Sequence, residues 1–403
     1  MSQAFLSRVV LKNYKSIAIC DVPLDSLTFL VGPNGSGKSN FLDALRFVTD
    51  SLRKSLDHAL RERGGIADVR RRSAGHPNHF AMRLEFALRN GSAGHYAFRI
   101  GAKPLGGYEV QNEECVLRGP GLHRANFHVR KGEVTGSSPT FPPAASDRLY
   151  LVNAAGLPEF RPVYDALSRM GFYSLNPDRI RDLQTPDTGD LLLRDGSNIA
   201  SVLEQMSKRN PKGKERVEKY LSRVVVGIQH VEPKILGPKE TLEFRQRVGG
   251  ASDPWRFLAA NMSDGTLRSL GVLVSLFQSS NGDSLPIPLV GIEEPETALH
   301  PAAARVLLDS ILDASGYSQI IVTSHSPDLL DYPDLPLDSI LAVLAENGET
   351  EIAHLSEPGR SALRDHLYTA GDLLRLNQLQ PDRDEIERIS HRQLKLFDEA
   401  SAG

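Results

Sequence analysis

The chain is poor in cysteine and has no long apolar run. Only Cys20 and Cys115 occur among its 403 residues, and a single distant pair gives neither a disulfide framework nor the spacing of a metal site. Both thiols are therefore expected to be small buried residues. No apolar stretch is long enough to cross a bilayer, and no apolar leader opens the sequence. These absences predict a cytoplasmic protein with no membrane partner.

A strong charge of either sign is also missing. The formal net charge is −3, so contact with nucleic acid would need a local basic patch. Small basic clusters occur at Arg61 with Arg63 and at 70–72, and a larger one lies between residues 208 and 216. One interpretation of the larger cluster is contact with the DNA backbone, and the alternative is a solvated helix face with interleaved acids. The candidate DNA-contacting residues are Lys208, Arg209, Lys212, Lys214 and Arg216.

A glycine-rich loop between two apolar segments is the most specific motif of the chain. It follows Leu27–Val31, which has strand character, and precedes Phe41–Leu45, which has helical character. This arrangement, with Gly-Lys-Ser near its end, is typical of a P-loop, whose backbone N–H groups cradle phosphates. Lys38 is expected to reach the β- and γ-phosphates, and Ser39 to ligate magnesium. The expected nucleotide-binding residues are Gly32, Pro33, Asn34, Gly35, Ser36, Gly37, Lys38, Ser39 and Asn40.

Two adjacent carboxylates follow a second apolar run. The segment Leu289–Ile292 leads directly into Glu293 and Glu294, which is the order of a Walker B motif. The first carboxylate is expected to hold magnesium, and the second to orient the attacking water as general base. The alternative is a solvated acidic turn, which the presence of a P-loop in the same chain disfavours.

Two further motifs flank the acidic pair. His325 follows the apolar run Gln319–Thr323 and has small hydroxyl neighbours. It is expected to sense a γ-phosphate, although a lone histidine is more often structural. Ser263 and Gly265 open an apolar helix. A serine and a glycine at a helix N-terminus form an anion site, although Ser263 could also serve simply as a helix cap.

The remaining periodicity predicts an α/β chain with an interrupted nucleotide-binding sheet. Alternating apolar residues over 80–88 and 96–100, around a turn at Asn90-Gly91, predict an antiparallel hairpin. Helical spacing over 157–223 predicts a helical insertion, after which strand character returns. Two amphipathic helices are expected in the tail, at Arg360–Leu376 and Arg383–Glu399.

The order of these motifs resembles that of the ABC-type ATPase heads of the SMC, RecF and OLD (overcoming lysogenization defect) group. The opening Leu11–Ser16 is similar to the first strand of those heads, and Thr297–Pro301 lies where they carry the D-loop. Within that group the chain is similar to stand-alone bacterial ATPases with OLD-type signature motifs. The resemblance implies a P-loop ABC/SMC-type head with a mixed central sheet, an antiparallel β subdomain and a helical insertion.

The resemblance also implies roles and boundaries. The signature residues Ser263 and Gly265 would grip the γ-phosphate of ATP bound by another subunit, so two ATP would lie between the subunits of a head-to-tail homodimer. Glu293 departs from the aspartate usual in this superfamily, although the OLD-like branch often carries glutamate. The implied catalytic residues are Lys38, Glu294 and His325, and the implied magnesium ligands are Ser39 and Glu293. The implied divisions are an N-terminal ATPase lobe (1–156), the insertion (157–224), a C-terminal ATPase lobe (225–358) and C-terminal helices (359–403).

These observations predict an ATP-hydrolysing head that switches a separate effector, such as a nuclease, in phage defence or DNA repair. OLD proteins carry a Toprim nuclease domain after the head, whereas the acids after His325 do not follow a buried strand as Toprim carboxylates do. One alternative is a DNA-binding, ATP-dependent clamp with little turnover. A transporter subunit is less favoured, because the signature is Met-Ser-Asp-Gly-Thr and not Leu-Ser-Gly-Gly-Gln.

Overall fold

The computed structural model describes residues 4–73, 75, 77–120, 122–137, 141–249, 253–279, 286–332, 335–391 and 395–398. These residues form two compact units. The P-loop unit contains the described residues of 4–170, 336–365 and 377–398, and the signature unit contains those of 171–335 and 366–376. The chain is a mixed α/β protein, as predicted from its periodicity.

The described residues include the following regular elements. The strands are β1 (Leu6–Tyr14), β2 (Ile17–Pro23), β3 (Leu27–Val31), β4 (His79–Ala87), β5 (Ala93–Ala102), β6 (Tyr108–Gly119), β7 (Leu122–Arg130), β8 (Glu133–Gly136), β9 (Gly171–Tyr173), β10 (Ile228–Leu236), β11 (Lys239–Gln246), β12 (Trp255–Leu258), β13 (Leu289–Glu293), β14 (Gln319–Ser324), β15 (Ile340–Glu346) and β16 (Glu349–His354). The helices are α1 (Lys38–Arg53), α2 (Leu56–Arg61), α3 (Ile66–Val69), α4 (Leu151–Ala154), α5 (Arg161–Ser168), α6 (Pro177–Arg181), α7 (Ile199–Arg209), α8 (Pro211–Val224), α9 (Asp264–Phe277), α10 (Pro301–Ala314), α11 (Pro327–Leu330), α12 (Glu357–Arg364), α13 (Ala370–Arg375) and α14 (Arg383–His391).

An antiparallel sheet makes up much of the P-loop unit. Its seven strands lie in the order β2-β1-β4-β5-β6-β7-β8. The predicted hairpin is confirmed as β4 and β5, with Met82 opposite Phe98. Alternate side chains of β4 are buried, and the ring of Phe80 packs edge-on against that of Phe47 from α1, with the ring centroids 5.4 Å apart. The period of two in the sequence therefore marks the face of this sheet that carries α1.

Three more strands of the P-loop unit hold the glycine-rich loop. All five residues of β3 are buried. Strand β3 pairs in parallel with β15, where Leu30 lies opposite Leu341, and β15 pairs antiparallel with β16. Because β3 ends at Val31 and α1 begins at Lys38, the glycine-rich loop connects a fully buried strand directly to a helix N-terminus.

The signature unit contains the parallel strands that end in the acidic pair and in His325. Strand β13 pairs in parallel with β14 on one side and with β9 on the other. Glu293 lies opposite Thr323 in this register, so the residues that follow both strands meet at one edge of the sheet. The unit also contains the antiparallel sheet β10-β11-β12. The β10–β11 turn lies at Gly237-Pro238, and these strands confirm the predicted return of strand character after residue 223.

Some expected elements differ from those observed. The segment 157–224 was expected to be helical, yet it contains β9, a strand too short to show a period of its own. The units also separate between Met170 and Gly171, and residues 366–376 belong to the signature unit. The expected helix Arg360–Leu376 is interrupted after α12, where His366 has a left-handed φ of 52°. The helix expected at 383–399 ends at His391, and residues 392–394 and 399 lie outside the described residues. Among the described residues, no helix has both the length and the apolar character needed to cross a bilayer.

A buried charge network fixes α1 within the P-loop unit. The Asp43 carboxylate accepts hydrogen bonds from the Tyr14 hydroxyl (2.8 Å) and from Nε of Arg63 (3.0 Å), and it pairs with Lys15 (2.6 Å). The Arg63 side chain is only 2% exposed. Burial alone would raise the pKa of Asp43, but the neighbouring cations, above all Arg63, hold that pKa well below its ordinary value. The carboxylate is therefore the charged centre on which three elements converge.

Replacing Asp43 with asparagine is expected to destabilise this unit strongly. The change removes one of the two carboxylates that pair with the buried Arg63 guanidinium and leaves Asp50, at 2.9 Å, as the remaining counter-ion, so the expected loss is about 3 kcal/mol. Because the folded pKa of Asp43 lies below the unfolded one, its stabilisation is present above the ordinary aspartate pKa of about 3.9 and is lost as the pH falls below it. Urea unfolding of the wild type and of Asp43→Asn at pH 7 and at pH 3 measures both effects.

The exposed ion pair between Asp57 and Arg61 provides a matched control. Its shortest N–O distance is 2.8 Å, but the two side chains are largely in solvent. Asp57→Asn should therefore change the free energy of unfolding by less than about 1 kcal/mol. Equal losses for the Asp43 and Asp57 variants would contradict the role given to the buried network.

Candidate functional site

The glycine-rich loop leaves no room for a side chain at two positions. A Cβ on Gly32 would lie 2.0 Å from the carbonyl oxygen of Val343 in β15. Gly37, which caps α1, has a left-handed φ of 100°, and a Cβ there would lie 1.9 Å from Oγ1 of Thr350 in β16. The glycines of the motif are thus required by close packing against β15 and β16 as well as by the turn itself.

The polar groups of the loop fit a phosphate chain. The Lys38 ammonium group donates to the carbonyl oxygens of Gly32 and Pro33, both at 2.8 Å, and the side chain is 4% exposed. Oγ of Ser36 is buried and has no hydrogen-bond partner among the described residues. Ser39 is exposed in the first turn of α1. The loop therefore offers an anion three kinds of donor, which are the ammonium group of Lys38, the unpartnered hydroxyl of Ser36 and the N-terminus of α1.

Asn40, which was expected to bind nucleotide, contacts another part of the protein through its side chain. Its side-chain amide donates to Oγ of Ser16 at 2.6 Å. Ser16 in turn lies 2.7 Å from Oγ1 of Thr350. The sequence indicated neither Ser16 nor Thr350 as part of this motif, because hydroxyl residues in a β-rich segment are common and carry no spacing signal.

The acidic pair and His325 come together in the signature unit. Glu294 lies one residue beyond β13 with a left-handed φ of 44°, and its N–H donates to the carbonyl oxygen of Thr323 at 3.0 Å. This conformation directs the carboxylate toward His325, whose Nδ1 lies 3.0 Å from Oε1 of Glu294. Glu293 instead forms an ion pair with Arg194 at 2.8 Å. The two adjacent acids therefore have different partners, as expected for different roles.

Glu296 is a third carboxylate at this site, and the sequence analysis gave it no role. It is 7% exposed, and its Oε1 accepts a hydrogen bond from Oγ of Ser324 at 2.6 Å. Burial raises the pKa of Glu296. Because Ser324 directly precedes His325, this bond ties the turn after β13 to the turn after β14. The string Glu-Glu-Pro-Glu was a signal that could have indicated a third acid.

The signature residues lie at the N-terminus of α9. Oγ of Ser263 accepts from the N–H of Thr266 at 3.3 Å, so the helix-cap interpretation is correct. A Cβ on Gly265 would lie 2.9 Å from the carbonyl oxygen of Ala298, which has a left-handed φ of 64°. Further along the helix, Arg268 donates to the carbonyl oxygen of Glu294 at 3.4 Å. The signature helix therefore packs directly on the segment that follows the acidic pair.

The candidate DNA-contacting residues have mixed surroundings. Lys208 and Arg209 are exposed and pair with Glu204 and Asp190. Lys214 pairs with Glu218 at 3.0 Å. The Arg216 guanidinium donates to the hydroxyl of Tyr317 at 2.6 Å and lies 4.6 Å from the centre of its ring. Lys214 and Arg216 thus contribute to packing within the unit, and DNA contact by this cluster stays a prediction.

Solved SMC heads share the fold. The SMC head bound to the C-winged helix domain of ScpA is 16% identical with a TM-score of 0.57, and the alignment covers 88% of this chain and 99% of that one. The Smc head from Pyrococcus furiosus, bound to the C-terminal domain of ScpA, is 13% identical with a TM-score of 0.57 and coverages of 90% and 99%. At these identities the likeness shows the fold alone. The chain has the fold of an SMC-type ATPase head, as predicted.

Curated relatives match over shorter stretches. RecF of Proteus mirabilis (strain HI4320), a DNA replication and repair protein, is 49% identical over 41 residues, which is 10% of this chain and 11% of RecF. The chromosome partition protein Smc of Gloeobacter violaceus is 27% identical over 213 residues, which is 49% of this chain and 16% of Smc. The chain therefore spans only a small part of the length of these relatives. The resemblance to SMC and RecF heads is confirmed.

A match to a protein-family model shows which family the chain belongs to. It is described as "AAA domain, putative AbiEii toxin, Type IV TA system", and it matches residues 27–114 and 142–331. These segments make up more than half of the chain, and the chain belongs to this family. They include the P-loop, the signature segment, the acidic pair and His325.

Proposed function

We propose that this chain binds and hydrolyses ATP, forms a head-to-tail dimer around two ATP molecules, and switches a partner protein. The hydrogen bond between His325 and Glu294 is the observation that carries the hydrolytic part. A carboxylate at the end of a buried strand, held by a histidine from the neighbouring strand, is suited to orient a water for attack on a phosphorus atom. Adjacent positioning of the two side chains is what such a reaction requires of the protein.

ATP is proposed to occupy the glycine-rich loop. Backbone N–H groups around Gly37 and the N-terminus of α1 would bind its β- and γ-phosphates. Lys38 would exchange its bonds to the carbonyl oxygens of Gly32 and Pro33 for phosphate oxygens. The buried hydroxyl of Ser36, which has no partner among the described residues, would gain one. Lys38 would thus exchange one set of hydrogen-bond acceptors for another, and Ser36 would gain a partner. Neither step requires a change in the fold of the loop.

Magnesium is proposed to bind through oxygen ligands, with Ser39 and Glu293 as the protein donors. Hydroxyl and carboxylate oxygens suit this hard cation, which when bound neutralises charge on the β- and γ-phosphates. Glu293 already pairs with Arg194 through Oε1. The carboxylate can therefore offer its second oxygen, or release Arg194 when a cation competes for it.

Head-to-tail dimerisation is proposed from the exposed N-terminus of the otherwise largely buried signature helix. Asp264 lies in the first turn of α9 and is exposed, and Ser263 holds the helix cap. A phosphate presented by a second subunit would meet this helix N-terminus, where partial positive charge favours an anion. Ser263 and Gly265 would then complete the site that the partner subunit's P-loop begins.

Replacing Glu294 with glutamine tests hydrolysis directly. Loss of a general base lowers turnover by roughly 10²–10⁴-fold, while ATP binding and ATP-dependent dimerisation should persist or strengthen. Steady-state phosphate release and equilibrium ATP titration measure the two effects on the same preparation. Glu133→Gln, an exposed acid on β8, is the matched control and should behave as the wild type. Wild-type protein that binds ATP without turnover would favour the alternative of a nucleotide-dependent clamp.

Mixing two inactive variants tests the composite site. Lys38→Ala disables the P-loop and Ser263→Arg disables the signature, but a mixed dimer keeps one composite site intact. Random mixing should restore about a quarter of the wild-type rate, since half of the dimers are mixed and each keeps one of two sites. The mixture of Lys38→Ala with Glu294→Gln is the control and should recover nothing, because both residues are proposed to serve the same subunit's ATP. No recovery in the first mixture, with mixed dimers demonstrated, would place Ser263 outside the partner's site.

A partner protein is proposed because related heads act with one. The two SMC heads with the same fold are bound to domains of ScpA. For this chain, a nuclease or another effector in phage defence or DNA repair is the proposed partner. Affinity capture from the native host with the ATP-retaining variant Glu294→Gln should enrich one protein that Lys38→Ala does not. Recovery of the ATPase alone in both captures would contradict the effector proposal.

A further inference from the structure

A series of hydrogen bonds connects the start of α1 to the glycine-rich loop by way of the β1–β2 turn and strand β16. The side-chain amide of Asn40 donates to Oγ of Ser16 at 2.6 Å, and Ser16 lies 2.7 Å from Oγ1 of Thr350. Oγ1 of Thr350 donates to the carbonyl oxygen of Ser36 at 2.9 Å. This series of hydrogen bonds thus begins at Asn40, in the first turn of α1, and ends at Ser36, in the loop. All four residues belong to the P-loop unit.

The number of available protons fixes which group donates and which accepts in each of these hydrogen bonds. The carbonyl oxygen of Ser36 can only accept, so the Thr350 hydroxyl must donate to it. Thr350 has no second proton, so Ser16 must donate to Thr350, and the Asn40 amide N–H then donates to Ser16. Each hydroxyl donates once and accepts once. Aligned donors of this kind polarise one another, so the last bond of the chain is strengthened by those before it.

The last bond fixes the orientation of the peptide between Ser36 and Gly37. In a trans peptide the C=O and the following N–H are directed to opposite sides. A Ser36 carbonyl bound to Thr350 therefore directs the N–H of Gly37 away from β16. That N–H belongs to the phosphate-binding set of a P-loop. The hydroxyl on β16 thus selects the peptide orientation that presents this donor to a phosphate.

Thr350 is itself fixed in place, and the loop packs closely against it. Thr350 is 3% exposed, and its own N–H donates to the carbonyl oxygen of Ser16 at 3.0 Å, so the residue is fixed by its backbone as well as by its side chain. Gly37 packs so closely on Thr350 that a Cβ would lie 1.9 Å from Oγ1. The loop therefore rests directly on the Thr350 side chain.

We propose that Thr350 is a positioning residue for ATP binding, which holds the Ser36–Gly37 peptide in the orientation that accepts phosphate. The proposal rests on the proposed function, since it assumes that ATP occupies this loop. It assigns the residue to binding and not to the chemical step, because Thr350 contacts the loop and neither Glu294 nor His325 is among its described contacts. ATP binding is expected to depend on the Thr350 hydroxyl more than on the volume of the side chain.

The test compares Thr350→Val with Thr350→Ser. Valine keeps the branched shape but loses the hydroxyl, so the Kd for Mg-ATP and the KM should each rise roughly tenfold, as expected for loss of one hydrogen bond of about 1.4 kcal/mol. The kcat at saturating ATP should stay within twofold of the wild type. Serine keeps the hydroxyl and should restore the wild-type Kd. Ser16→Ala, which leaves Thr350 bound to Ser36, should give a smaller rise and remains informative if the valine variant does not fold.

The possible results distinguish a failure of the proposed function from a failure of the role given to Thr350. Wild-type protein that fails to bind ATP would overturn the proposed function and with it this inference. Wild-type protein that binds ATP, with Thr350→Val binding equally well, would overturn the inference alone. A serine variant as weak as the valine variant would also overturn it, because the hydroxyl would then not be the determining group. A fall in kcat with an unchanged KM would assign Thr350 to a different step.

Discussion

The close approach of the glycine-rich loop to β15 and β16 is the constraint on which the rest of the P-loop unit depends. At Gly32 and Gly37 the loop backbone touches atoms of Val343 and Thr350 at distances that exclude any side chain. Strand β3 is held against β15 by parallel pairing, so the loop must turn within the narrow space between a buried strand and a neighbouring hairpin. Glycine satisfies the left-handed turn at Gly37 without strain. The loop conformation is therefore set by tertiary packing as much as by its own sequence.

In the signature unit, the two adjacent acids Glu293 and Glu294 have different environments. Glu293 is the last residue of β13 and pairs with Arg194, whereas the left-handed φ of Glu294 directs its carboxylate toward His325. A left-handed conformation at a non-glycine residue is uncommon and is retained where the surroundings fix it. Here the N–H of Glu294 is bound to the carbonyl oxygen of Thr323, so the neighbouring strand supplies that fixation.

Much of this could be predicted from the sequence, for a physical reason. The acidic pair and His325 each follow a short apolar strand, and these two strands, β13 and β14, end at one edge of a parallel sheet. Within its own unit the glycine-rich loop likewise follows a short buried strand, β3. The hairpin of β4 and β5 was equally visible, because its period of two runs over nine residues. The short strand β9 was not, since three residues carry no period. Ser16 and Thr350 were missed because their roles come from contacts between residues far apart in the chain, which spacing does not encode. Glu296 was missed although the string Glu-Glu-Pro-Glu marks a third acid at this position.

The packing of the signature helix bears on how two ATP sites would be connected in the proposed dimer. Gly265 lies against Ala298, and Arg268 donates to the carbonyl oxygen of Glu294, so the first two turns of the helix contact the segment that begins with the proposed general base. In the proposed head-to-tail arrangement Ser263 would serve the ATP of the partner subunit, whereas Glu294 would serve the ATP of its own. A γ-phosphate that shifts α9 in one site would therefore act on the base of the other site through contacts in the same subunit. Because close-packed contacts resist continuous deformation, such a connection would favour two discrete states of the pair.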